Sequence, residues 1–456
     1  MTNLLNDLKV LLGDRLSTAE ATRLQFAKDE SHHSLKAPDA VVHPISEEEV
    51  SQIVKICSKH QTPIIPFGAG TSLEGGVGAV HGGICIDMSR MNNILRVNDK
   101  DLDAIVEAGV TRKQLNSHLR DTGLFFPIDP GADATIGGMA STRASGTNAV
   151  RYGTMRENVL NVKVVLANGE IIKTGGRARK SSAGYDITRL FVGAEGTLGV
   201  ITEITLRLHG IPESITSAVC SFPSVESAVD CSVLTIQSGI PVARVELLDK
   251  LQMQACIQYS SLNYEVSPAL FFEFHGSLAS VREQAELVQS IATNFGGQRF
   301  RWAEKIEERN QLWHARHNAL YAALALKPGA QAWSTDVCVP VSRLSECIEK
   351  TRLDIDKSSA TATILGHVGD GNFHVIFLID PECPEDLLNA QRINERMISR
   401  ASSMEGTCTG EHGDGMGKQK YLEEEFGDAL DIMHNLKRVL DPENLMNPGK
   451  VVRLTN

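Results

Sequence analysis

The sequence predicts an α+β protein of two domains. Up to about residue 210, short apolar segments typical of strands alternate with glycine-rich loops. Beyond residue 213 glycine is less frequent and helical patterns appear between the strands. The 456 residues correspond to about two to four domains at roughly 100–200 residues each. We expect one domain at 1–212, which begins with a helical segment at about 1–35, and a second domain at 213–456.

The composition excludes two classes of function. The 45 Lys and Arg residues are outnumbered by 56 Asp and Glu residues, which gives a formal net charge of −11. This acidic balance argues against non-specific nucleic-acid binding and against a polybasic membrane anchor. No apolar run approaches the roughly 18 residues of a membrane span, so we expect no transmembrane segment.

The cysteines and the first residues predict a location. Nine cysteines without a CxxC pair are typical of reduced thiols in the cytosol, and they supply no ligand set for an iron–sulfur cluster. Residues 1–31 carry scattered acids and no long apolar core, unlike a secretory signal or an Arg-rich transit peptide. We expect a cytoplasmic protein, attached at most peripherally to the inner membrane.

The first glycine-rich loop follows a helix and a buried strand. Residues 46–60 place Ser46 before three acids and then space apolar residues at helical intervals, and residues 63–67 form an apolar strand. Seven of the 38 glycines then lie between Gly68 and Gly83. A flexible linker is the alternative, but linkers lack the apolar residues found in this loop. The spacing also departs from a dinucleotide-binding fingerprint, because a strand follows the glycines where a helix is required.

Two more glycine-rich runs, at 129–153 and 191–202, lie among further strands. Strand patterns occur at 104–109, 162–175, 200–208 and 269–276, and a helical pattern occurs at 280–295. The Asn168-Gly169 pair predicts a hairpin turn within the second of these strand patterns. Three glycine-rich runs separated by strands indicate one binding surface, in which turning backbone N–H groups form nests for phosphate oxygens.

The three runs resemble a known cofactor domain. They are, in order, PFGAGTSLEGG, DPGADATIGGMASTRASGTNAVRYG and GAEGTLGVIT, and they are similar to the FAD-binding domain of the vanillyl-alcohol-oxidase-type flavoproteins. The resemblance covers most of residues 36–212. It implies an FAD-binding domain of two α+β subdomains, followed by a cap domain with an antiparallel sheet that binds the substrate.

The same resemblance implies the residues that contact FAD. Members that attach FAD covalently use a His of the first loop, and residues 67–77 contain none, so noncovalent FAD is expected. The implied contacts are Pro66, Gly68, Gly70, Thr71, Ser72 and Leu73 at the pyrophosphate, Asp129, Pro130, Ala134, Thr135, Gly137, Gly138, Gly146 and Tyr152 at the flavin and ribityl chain, and Glu195, Gly196 and Ile201 near the adenine half.

A second group of candidate residues lies in the C-terminal half. The Asp370-Gly371 pair between two apolar strands predicts a two-residue hairpin turn, which pairs His367 with His374. Directly opposed residues share a face, so both imidazoles can reach one divalent ion. Glu411 and His412 are adjacent in a glycine-rich turn, where the carboxylate offers a third ligand and the imidazole faces elsewhere. The alternative is that all of these are solvated loop residues.

This half resembles the C-terminal domain of the FAD-linked 2-hydroxy-acid dehydrogenases, in the branch with cytochrome-linked D-lactate dehydrogenases and the flavin subunit of glycolate oxidase. The motifs are GHVGDGNFH at 366–374, GEHGDG at 410–415 and VLDPENLMNPGKV at 439–451. The implied roles are a Zn²⁺ or Mn²⁺ site at His367, His374 and Glu411, a base at His412, substrate binding by Arg316, His412 and Asn447, and a return of about 439–456 to the FAD domain through Asn447 and Lys450.

The implied reaction is oxidation of a small D-2-hydroxy acid, with hydride transfer to flavin N5. Positions that are polar in D-2-hydroxyglutarate dehydrogenases correspond in this chain to Leu320, Ser334 and Ile376, so a short or apolar acid such as D-lactate is favoured. Three alternatives stay open: the flavin subunit of a multi-subunit glycolate oxidase, a D-2-hydroxyglutarate dehydrogenase, and a non-redox transferase of the alkyl-glycerone-phosphate synthase type. The electron acceptor is open among a quinone, a cytochrome and a soluble carrier, as is assembly into a homodimer or with a separate iron–sulfur subunit.

Overall fold

The computed structural model describes residues 1–33, 36–260 and 262–454. Helices and sheets are mixed along the chain, which confirms the predicted α+β class. Residues 34–35 and 455–456, at the ends of the predicted N-terminal helical segment and of the predicted C-terminal return, lie outside the described residues.

Two compact units divide the chain. The first unit consists of Met1–Ser145, Gly153–Ile211 and Glu411–Asn456, and the second consists of Gly146–Tyr152 and Pro212–Gly410. The sequence places the domain boundary at 212/213 and returns only about 439–456 to the first domain. In the structure the return begins at Glu411, and a short segment around Tyr152 joins the second unit.

Short helices and strands alternate through most of the chain. In chain order, the helices are α1 (Thr2–Leu12), α2 (Glu20–Gln25), α3 (Glu47–Lys59), α4 (Arg112–Leu119), α5 (Ile136–Thr142), α6 (Ala149–Tyr152), α7 (Met155–Asn158), α8 (Thr188–Phe191), α9 (Val225–Gln237), α10 (Lys250–Ser260), α11 (Leu278–Asn294), α12 (Ile306–His317), α13 (Ala319–Ala325), α14 (Leu344–Asp356), α15 (Pro384–Ser403), α16 (Leu422–Phe426) and α17 (Ala429–Leu440). The strands are β1 (Leu16–Ser17), β2 (Ala40–Val42), β3 (Ile64–Phe67), β4 (Ile84–Asp87), β5 (Ile94–Asn98), β6 (Asp103–Glu107), β7 (Leu124–Phe125), β8 (Val159–Val165), β9 (Ile171–Lys173), β10 (Val200–Arg207), β11 (His209–Gly210), β12 (Ser214–Ser221), β13 (Val242–Leu248), β14 (Ala269–Gly276), β15 (Gln298–Ala303), β16 (Gln331–Ser334), β17 (Val337–Cys338), β18 (Ala362–Gly366) and β19 (Asn372–Ile379).

The first unit contains two main sheets. One has the order β1-β2-β4-β3, with β4 parallel to both β2 and β3, and the other has the order β5-β6-β10-β8-β9. The predicted helix after Ser46 is confirmed as α3, because the Ser46 hydroxyl accepts a hydrogen bond from the N–H of Glu49. The predicted hairpin at Asn168-Gly169 is also confirmed, since β8 and β9 pair antiparallel on either side of it. The first glycine-rich loop begins where the parallel strand β3 ends, which is the edge of a sheet where ligands usually bind.

The second unit is built on one antiparallel sheet with the order β15-β12-β14-β13-β18-β19-β16. Strand β14 has the predicted bounds, and α11 lies within two residues of the predicted helix. Helices α10, α12 and α13 bury Met253, Trp313 and Ala323 against sheet residues that include Phe271 and Ile376. This core places β13, β18 and β19 side by side, and they carry most of the site described below.

The predicted two-residue hairpin turn at Asp370-Gly371 is wrong. Strand β18 ends at Gly366, and the register pairs His374 with Leu365 where the sequence predicted His367. The turn is longer because the carbonyl of His367 accepts hydrogen bonds from the N–H groups of both Asp370 and Asn372, at 3.0 and 3.3 Å. The observed pairing differs from the predicted pairing by two residues, which is one full period of a strand. His367 therefore lies on the same face as Leu365 and still near His374.

None of the helices in residues 1–33, 36–260 and 262–454 is long and apolar enough to cross a membrane.

Candidate active site

The structure brings together the three residues predicted to bind a metal. One ligand atom from each of His367, His374 and Glu411 lies within 4.8 Å of the other two. The two imidazole rings are 5.4 Å apart between centroids and meet edge to face at 82°. Both histidines are buried, which argues against the alternative that they are solvated loop residues.

The hydrogen bonds of the two histidines fix which nitrogen faces the cluster. The Nδ1–H of His367 donates to Glu246 Oε1 at 2.6 Å, and that of His374 donates to the carbonyl of Thr335 at 2.9 Å. Each ring therefore presents the lone pair of Nε2. This is the usual arrangement of metal-binding histidines, whose second nitrogen is held by a carboxylate or a carbonyl. Two imidazoles and one carboxylate form a donor set that suits Zn²⁺ or Mn²⁺.

Asp336 holds the segment that precedes Glu411. Its Oδ1 accepts a hydrogen bond from Asn372 Nδ2, and its Oδ2 accepts from Thr409 Oγ1 and from the N–H of Gly410, each at 2.7 Å. A Cβ at Gly410 would lie 2.3 Å from Asn372 Nδ2, so glycine is required for this approach. Glu411 is the next residue along the chain, and its position beside the two histidines follows from this anchor.

Arg316 contacts a carboxylate of the protein. Its Nε and Nη2 donate to Glu246 Oε2 at 3.0 and 2.6 Å, and the guanidinium is almost fully buried. Burial raises the pKa of Glu246, but His367 and Arg316 outweigh it, so the pKa lies below its usual range. Glu246 is therefore an anion that joins Arg316 to His367.

Sequence reasoning missed Glu246 and Asp336. Glu246 lies in β13, VARVELL, whose residues are nearly all buried, and a charged group there requires a partner. That pattern was the available signal for Glu246. Asp336 lies between β16 and β17, and its partners are 36 to 74 residues away in the sequence.

A second buried network surrounds Tyr152, which the sequence assigned to the flavin. The Tyr152 hydroxyl lies 2.7 Å from His275 Nδ1, and His275 Nε2 lies 2.9 Å from Glu273 Oε1. Arg244 adds an ion pair to Glu273 at 3.4 Å. Burial raises the pKa of Glu273, but Arg244, His275 and Ser217 together lower it by more, so that it lies at about 2. The ionised carboxylate of Glu273 accepts a hydrogen bond from the Nε2–H of His275. Nδ1 of His275 therefore accepts a hydrogen bond from the Tyr152 hydroxyl.

The first glycine-rich loop has the backbone geometry expected for a phosphate site. Its carbonyls are used within the first unit, since Ser72, Glu74, Gly76 and Gly78 all accept hydrogen bonds. The N–H groups of residues 69–73, by contrast, donate to no group in the described part of the chain. A run of five N–H donors in a turning loop suits a pyrophosphate.

Several glycines predicted to contact FAD are also required by neighbouring protein atoms. A Cβ would lie 2.3 Å from Thr135 Oγ1 at Gly68, 2.7 Å from the Phe67 ring at Gly70, 2.7 Å from Ala108 Cβ at Gly137 and 2.9 Å from Pro66 at Gly196. The close approach of Gly196 to Pro66 brings β3 against the turn before β10. Close packing inside the protein therefore shapes these loops.

The other predicted FAD contacts lie as follows. Pro66 is in β3, Thr71, Ser72 and Leu73 are in the first loop, Asp129, Pro130, Ala134 and Thr135 precede α5, Gly138 is in α5, Gly146 and Tyr152 belong to the second unit, and Ile201 is in β10.

Glu195 makes contacts that the prediction did not include. Its carboxylate accepts hydrogen bonds from the backbone N–H groups of Asp414 and Gly415 at 2.6 and 3.0 Å. Burial and, to a lesser extent, the negative charge of Asp414 raise the pKa of Glu195 to about 8. Glu195 therefore holds the GEHGDG segment, which contains Glu411 and His412.

Asn447 joins the C-terminal segment to the first loop. Its Nδ2 donates to the carbonyls of Gly76 and Glu195 at 3.0 and 2.7 Å. Its Oδ1 is buried and has no hydrogen-bond partner among the described residues. A buried acceptor without a donor is costly, so this atom suits a donor on a bound molecule. Lys450 anchors the same segment by donating to the carbonyl of Gly78 at 2.7 Å.

His412 lies beside Glu411, one of the three residues predicted to bind a metal. Its Nε2 is 3.9 Å from Glu411 Oε1, and only 9% of its side chain is accessible. An imidazole held next to a carboxylate can act as a general base.

Two family models match the chain. Residues 38–175 match the FAD binding domain, and residues 211–451 match the FAD linked oxidases, C-terminal domain. A solved structure of p-cresol methylhydroxylase with substrate bound has a TM-score of 0.82 and 19% identity, and the match covers 100% of this chain and 97% of that chain. This likeness concerns the fold alone.

Two curated relatives match nearly the whole chain. A Danio rerio protein named "Probable D-lactate dehydrogenase, mitochondrial" is 55% identical over 96% of this chain and 89% of its own length. An Arabidopsis thaliana protein named "D-lactate dehydrogenase [cytochrome], mitochondrial" is 50% identical over 98% of this chain and 80% of its own length.

The names of these relatives contradict the cytoplasmic location expected from the sequence, because both relatives are mitochondrial. The expectation was wrong because its basis was too general: reduced cysteines do not distinguish the cytosol from another reducing compartment. Residues 38–175 match an FAD-binding domain and residues 211–451 match the oxidase C-terminal domain, and the two relatives align with 96 and 98% of the chain. The chain therefore belongs to the family of FAD-linked oxidases and is a flavin-dependent oxidoreductase of the vanillyl-alcohol-oxidase type.

Proposed function

We propose that this chain oxidises a short D-2-hydroxy acid and passes the electrons to a cytochrome. The preferred substrate in this proposal is D-lactate, which is oxidised to pyruvate. The observation that carries the proposal is the cluster of His367, His374 and Glu411, in which both imidazoles present Nε2 to one point. Transferases of the same fold need no metal that binds a substrate hydroxyl. The names of the two relatives supply the substrate and the acceptor.

FAD and a divalent metal are the cofactors of this proposal. The residues of the first loop hold the pyrophosphate of FAD noncovalently through backbone N–H groups. Asn447 Oδ1 accepts a hydrogen bond from a donor of the bound FAD or substrate. His367, His374 and Glu411 hold Zn²⁺ or Mn²⁺. When bound, FAD supplies a hydride acceptor and the metal supplies a Lewis acid that lowers the pKa of a bound hydroxyl.

The side chains of the protein have distinct roles in this proposal. His412 takes the proton of the substrate hydroxyl, since a histidine side chain is the general base that enzymes use most often. Glu246 keeps Nδ1 of His367 protonated, so that Nε2 stays a ligand. Arg316 uses Nε and Nη2 for Glu246, and its remaining nitrogen, Nη1, offers two N–H donors to the substrate carboxylate.

The preference for a short substrate is supported by two residues that lie opposite each other. Ser334 and Ile376 pair across β16 and β19, and neither of these small or apolar side chains supplies a cation for a second carboxylate. This favours D-lactate over D-2-hydroxyglutarate. A flavin subunit of a glycolate oxidase complex is the second candidate, and it differs in requiring a partner subunit for turnover.

An anaerobic screen tests the proposal. The purified chain, loaded with FAD and Zn²⁺ or Mn²⁺, is mixed with D- and L-lactate, glycolate and D-2-hydroxyglutarate, and loss of the yellow flavin absorbance is recorded. We expect fast bleaching with D-lactate and slow or no bleaching with the L-isomer and the dicarboxylate. Bleaching by glycolate alone would support the second candidate. Absence of bleaching by every 2-hydroxy acid would contradict the proposed function and leave the transferase alternative.

A further inference from the structure

Helix α17 exposes the apolar side of an amphipathic helix. Ile432, Leu436 and Val439 have the spacing of one helical face, and their exposures are 61, 37 and 77%. Phe426, at the end of α16, adds a fourth exposed apolar side chain, at 40%. We call the surface of these four residues the α17 patch. Single exposed apolar residues are ordinary, but four on two consecutive helices indicate a binding surface.

Acidic side chains flank the patch. Glu423 and Glu424 lie on α16, Asp428 lies in the turn between the two helices, and Asp431 lies in the first turn of α17, and all four are exposed. Arg438 is the one exposed Lys or Arg between residues 422 and 440, so acids predominate around the patch by four to one. An apolar centre with an acidic rim is complementary to a protein with a basic surface around an apolar centre.

The inner side of α17 is tied to the segments that the proposed function assigns to FAD. Lys437 is the buried residue of the helix, and its Nζ donates to the carbonyls of Thr197 and Met446 at 2.7 and 2.8 Å. Thr197 follows Glu195 and Gly196, and Met446 precedes Asn447. A protein bound on the outside of α17 is thus one helix away from the proposed FAD contacts.

From these observations we propose that the α17 patch is the docking surface for a basic one-electron carrier protein of the cytochrome type. The proposal rests on the proposed function. Oxidation of one 2-hydroxy acid to the 2-oxo acid releases two electrons and two protons. Two oxidised carrier molecules take one electron each, in turn, and the protons pass to solvent. Such a carrier must leave after each electron, which suits a small interface of the kind found in transient electron-transfer complexes.

Two other occupants fit the patch less well. A helix that binds a membrane surface is rich in Lys and Arg on its polar face, whereas the exposed charges around this patch are four acids and one arginine. A second copy of the chain would bring the same acidic rim to both sides of the contact, where like charges repel.

The test compares variants that change only the patch. Ile432→Ser with Val439→Ser removes the apolar centre, and Glu423→Gln with Glu424→Gln removes rim charge. The matched controls are Val10→Ser, a residue 90% exposed on α1, and Glu283→Gln with Glu286→Gln, two exposed acids on α11. Binding of oxidised cytochrome c, a basic carrier, to the FAD-loaded chain is measured by titration calorimetry at low salt. D-lactate turnover is measured with cytochrome c and with a small dye as acceptors.

We expect both patch variants to weaken cytochrome binding and to raise the KM for cytochrome by about tenfold or more, while dye turnover and the controls stay unchanged. Added salt should slow the cytochrome reaction of the unmodified chain and spare the dye reaction. Equal binding by patch variants and controls would overturn the proposal. Two other results with the Ile432→Ser, Val439→Ser variant would also overturn it. One is light scattering that shows a dimer of the unmodified chain and a monomer of the variant, and the other is binding of the unmodified chain to lipid vesicles that the variant loses. Failure of dye turnover with D-lactate would refute the proposed function instead, since the binding titration does not depend on substrate.

Discussion

Glu246 accepts the Nδ1–H of His367 on one carboxylate oxygen and the guanidinium of Arg316 on the other. The three residues come from α12, β13 and the segment after β18, and all are buried. Burying a carboxylate without a partner costs much free energy. Arg316 and His367 offset this cost for Glu246, and Glu246 in turn holds both of their side chains in place. The proposed metal ligand and the proposed substrate-binding arginine are thus held by a single anion.

The first prediction concerns this anion. Glu246→Gln leaves a side chain of the same size but weakens the hydrogen bond that orients His367. We expect metal affinity to fall by roughly ten- to a hundredfold, as is usual when the carboxylate partner of a metal-bound histidine is lost. Competition with a chromogenic chelator measures the affinity. Glu213→Gln, an exposed acid of the same unit, is the control, and an unchanged affinity in Glu246→Gln would refute the role of Glu246.

The proposed metal ligands provide the second prediction. His374→Ala should remove most of the bound metal but leave the FAD content intact, because the proposed FAD contacts in the first loop lie elsewhere. Elemental analysis and flavin absorbance of the same sample give both numbers. His118→Ala, an exposed histidine on α4, should keep both cofactors. Full metal content in His374→Ala would show that this cluster is not the metal site.

The third prediction separates backbone strain from cofactor binding. Gly70 and Gly123 both have positive φ, +68° and +73°, so alanine is strained at either position. A Cβ at Gly70 would also lie 2.7 Å from the Phe67 ring, whereas at Gly123 nothing lies within 4 Å. Strain of about 1–3 kcal/mol in the first loop corresponds to FAD affinity lower by about five- to 150-fold in Gly70→Ala.

Fluorescence titration of the apoprotein with FAD measures this affinity. Gly123→Ala should bind FAD normally even though it loses a comparable amount of stability. Equal FAD affinity in the two variants would place the pyrophosphate away from the first loop.

The fourth prediction is the pH dependence of stability in the second unit. The folded pKa of Glu273, about 2, is lower than the pKa of an unfolded Glu, about 4.3. The ionised Glu273 therefore stabilises the fold fully above the unfolded pKa, and this stability is lost as the pH falls from about 4.3 towards 2. The shift corresponds to free energy on the order of 3 kcal/mol.

Urea unfolding of Glu273→Gln and of the unmodified chain checks this. The unmodified chain should be more stable by a few kcal/mol at about pH 7, and the difference should shrink as the pH approaches about 3. A difference that is constant over this range would mean that Glu273 contributes no charge-dependent stability. Glu283→Gln, an exposed acid, should show no difference at either pH.

Local patterns predicted most of the fold, and contacts distant in sequence limited the prediction of the site. The Ser46 cap, the Asn168-Gly169 turn and strand β14 follow from neighbouring residues, and all three were predicted. The turn after β18 was not, because the Asp-Gly pair indicates where a chain turns but not how many residues the turn contains. His367 and His374 nevertheless approach each other, since a slip of two residues keeps the face.

Glu246 and Asp336 show why the rest of the site was missed. Glu246 binds residues 70 and 121 positions away, and Asp336 binds Gly410, 74 positions away. Such pairings depend on the order of strands in the sheet, which no single segment encodes. Glu195 was assigned to FAD by resemblance, which stays a prediction, and its carboxylate also accepts hydrogen bonds from the backbone of Asp414 and Gly415.

The most direct test of the account is a single-turnover reaction of His412→Ala with D-lactate. The unmodified chain and the variant, both loaded with FAD and metal, are mixed with D-lactate without oxygen in a stopped-flow instrument, and pyruvate is assayed afterwards. We predict that the unmodified chain loses its flavin absorbance and forms an equal amount of pyruvate. The variant should keep both cofactors and react slower by about a hundred- to ten-thousandfold. Reduction of the variant at the unmodified rate, or bleaching without pyruvate, would contradict the account.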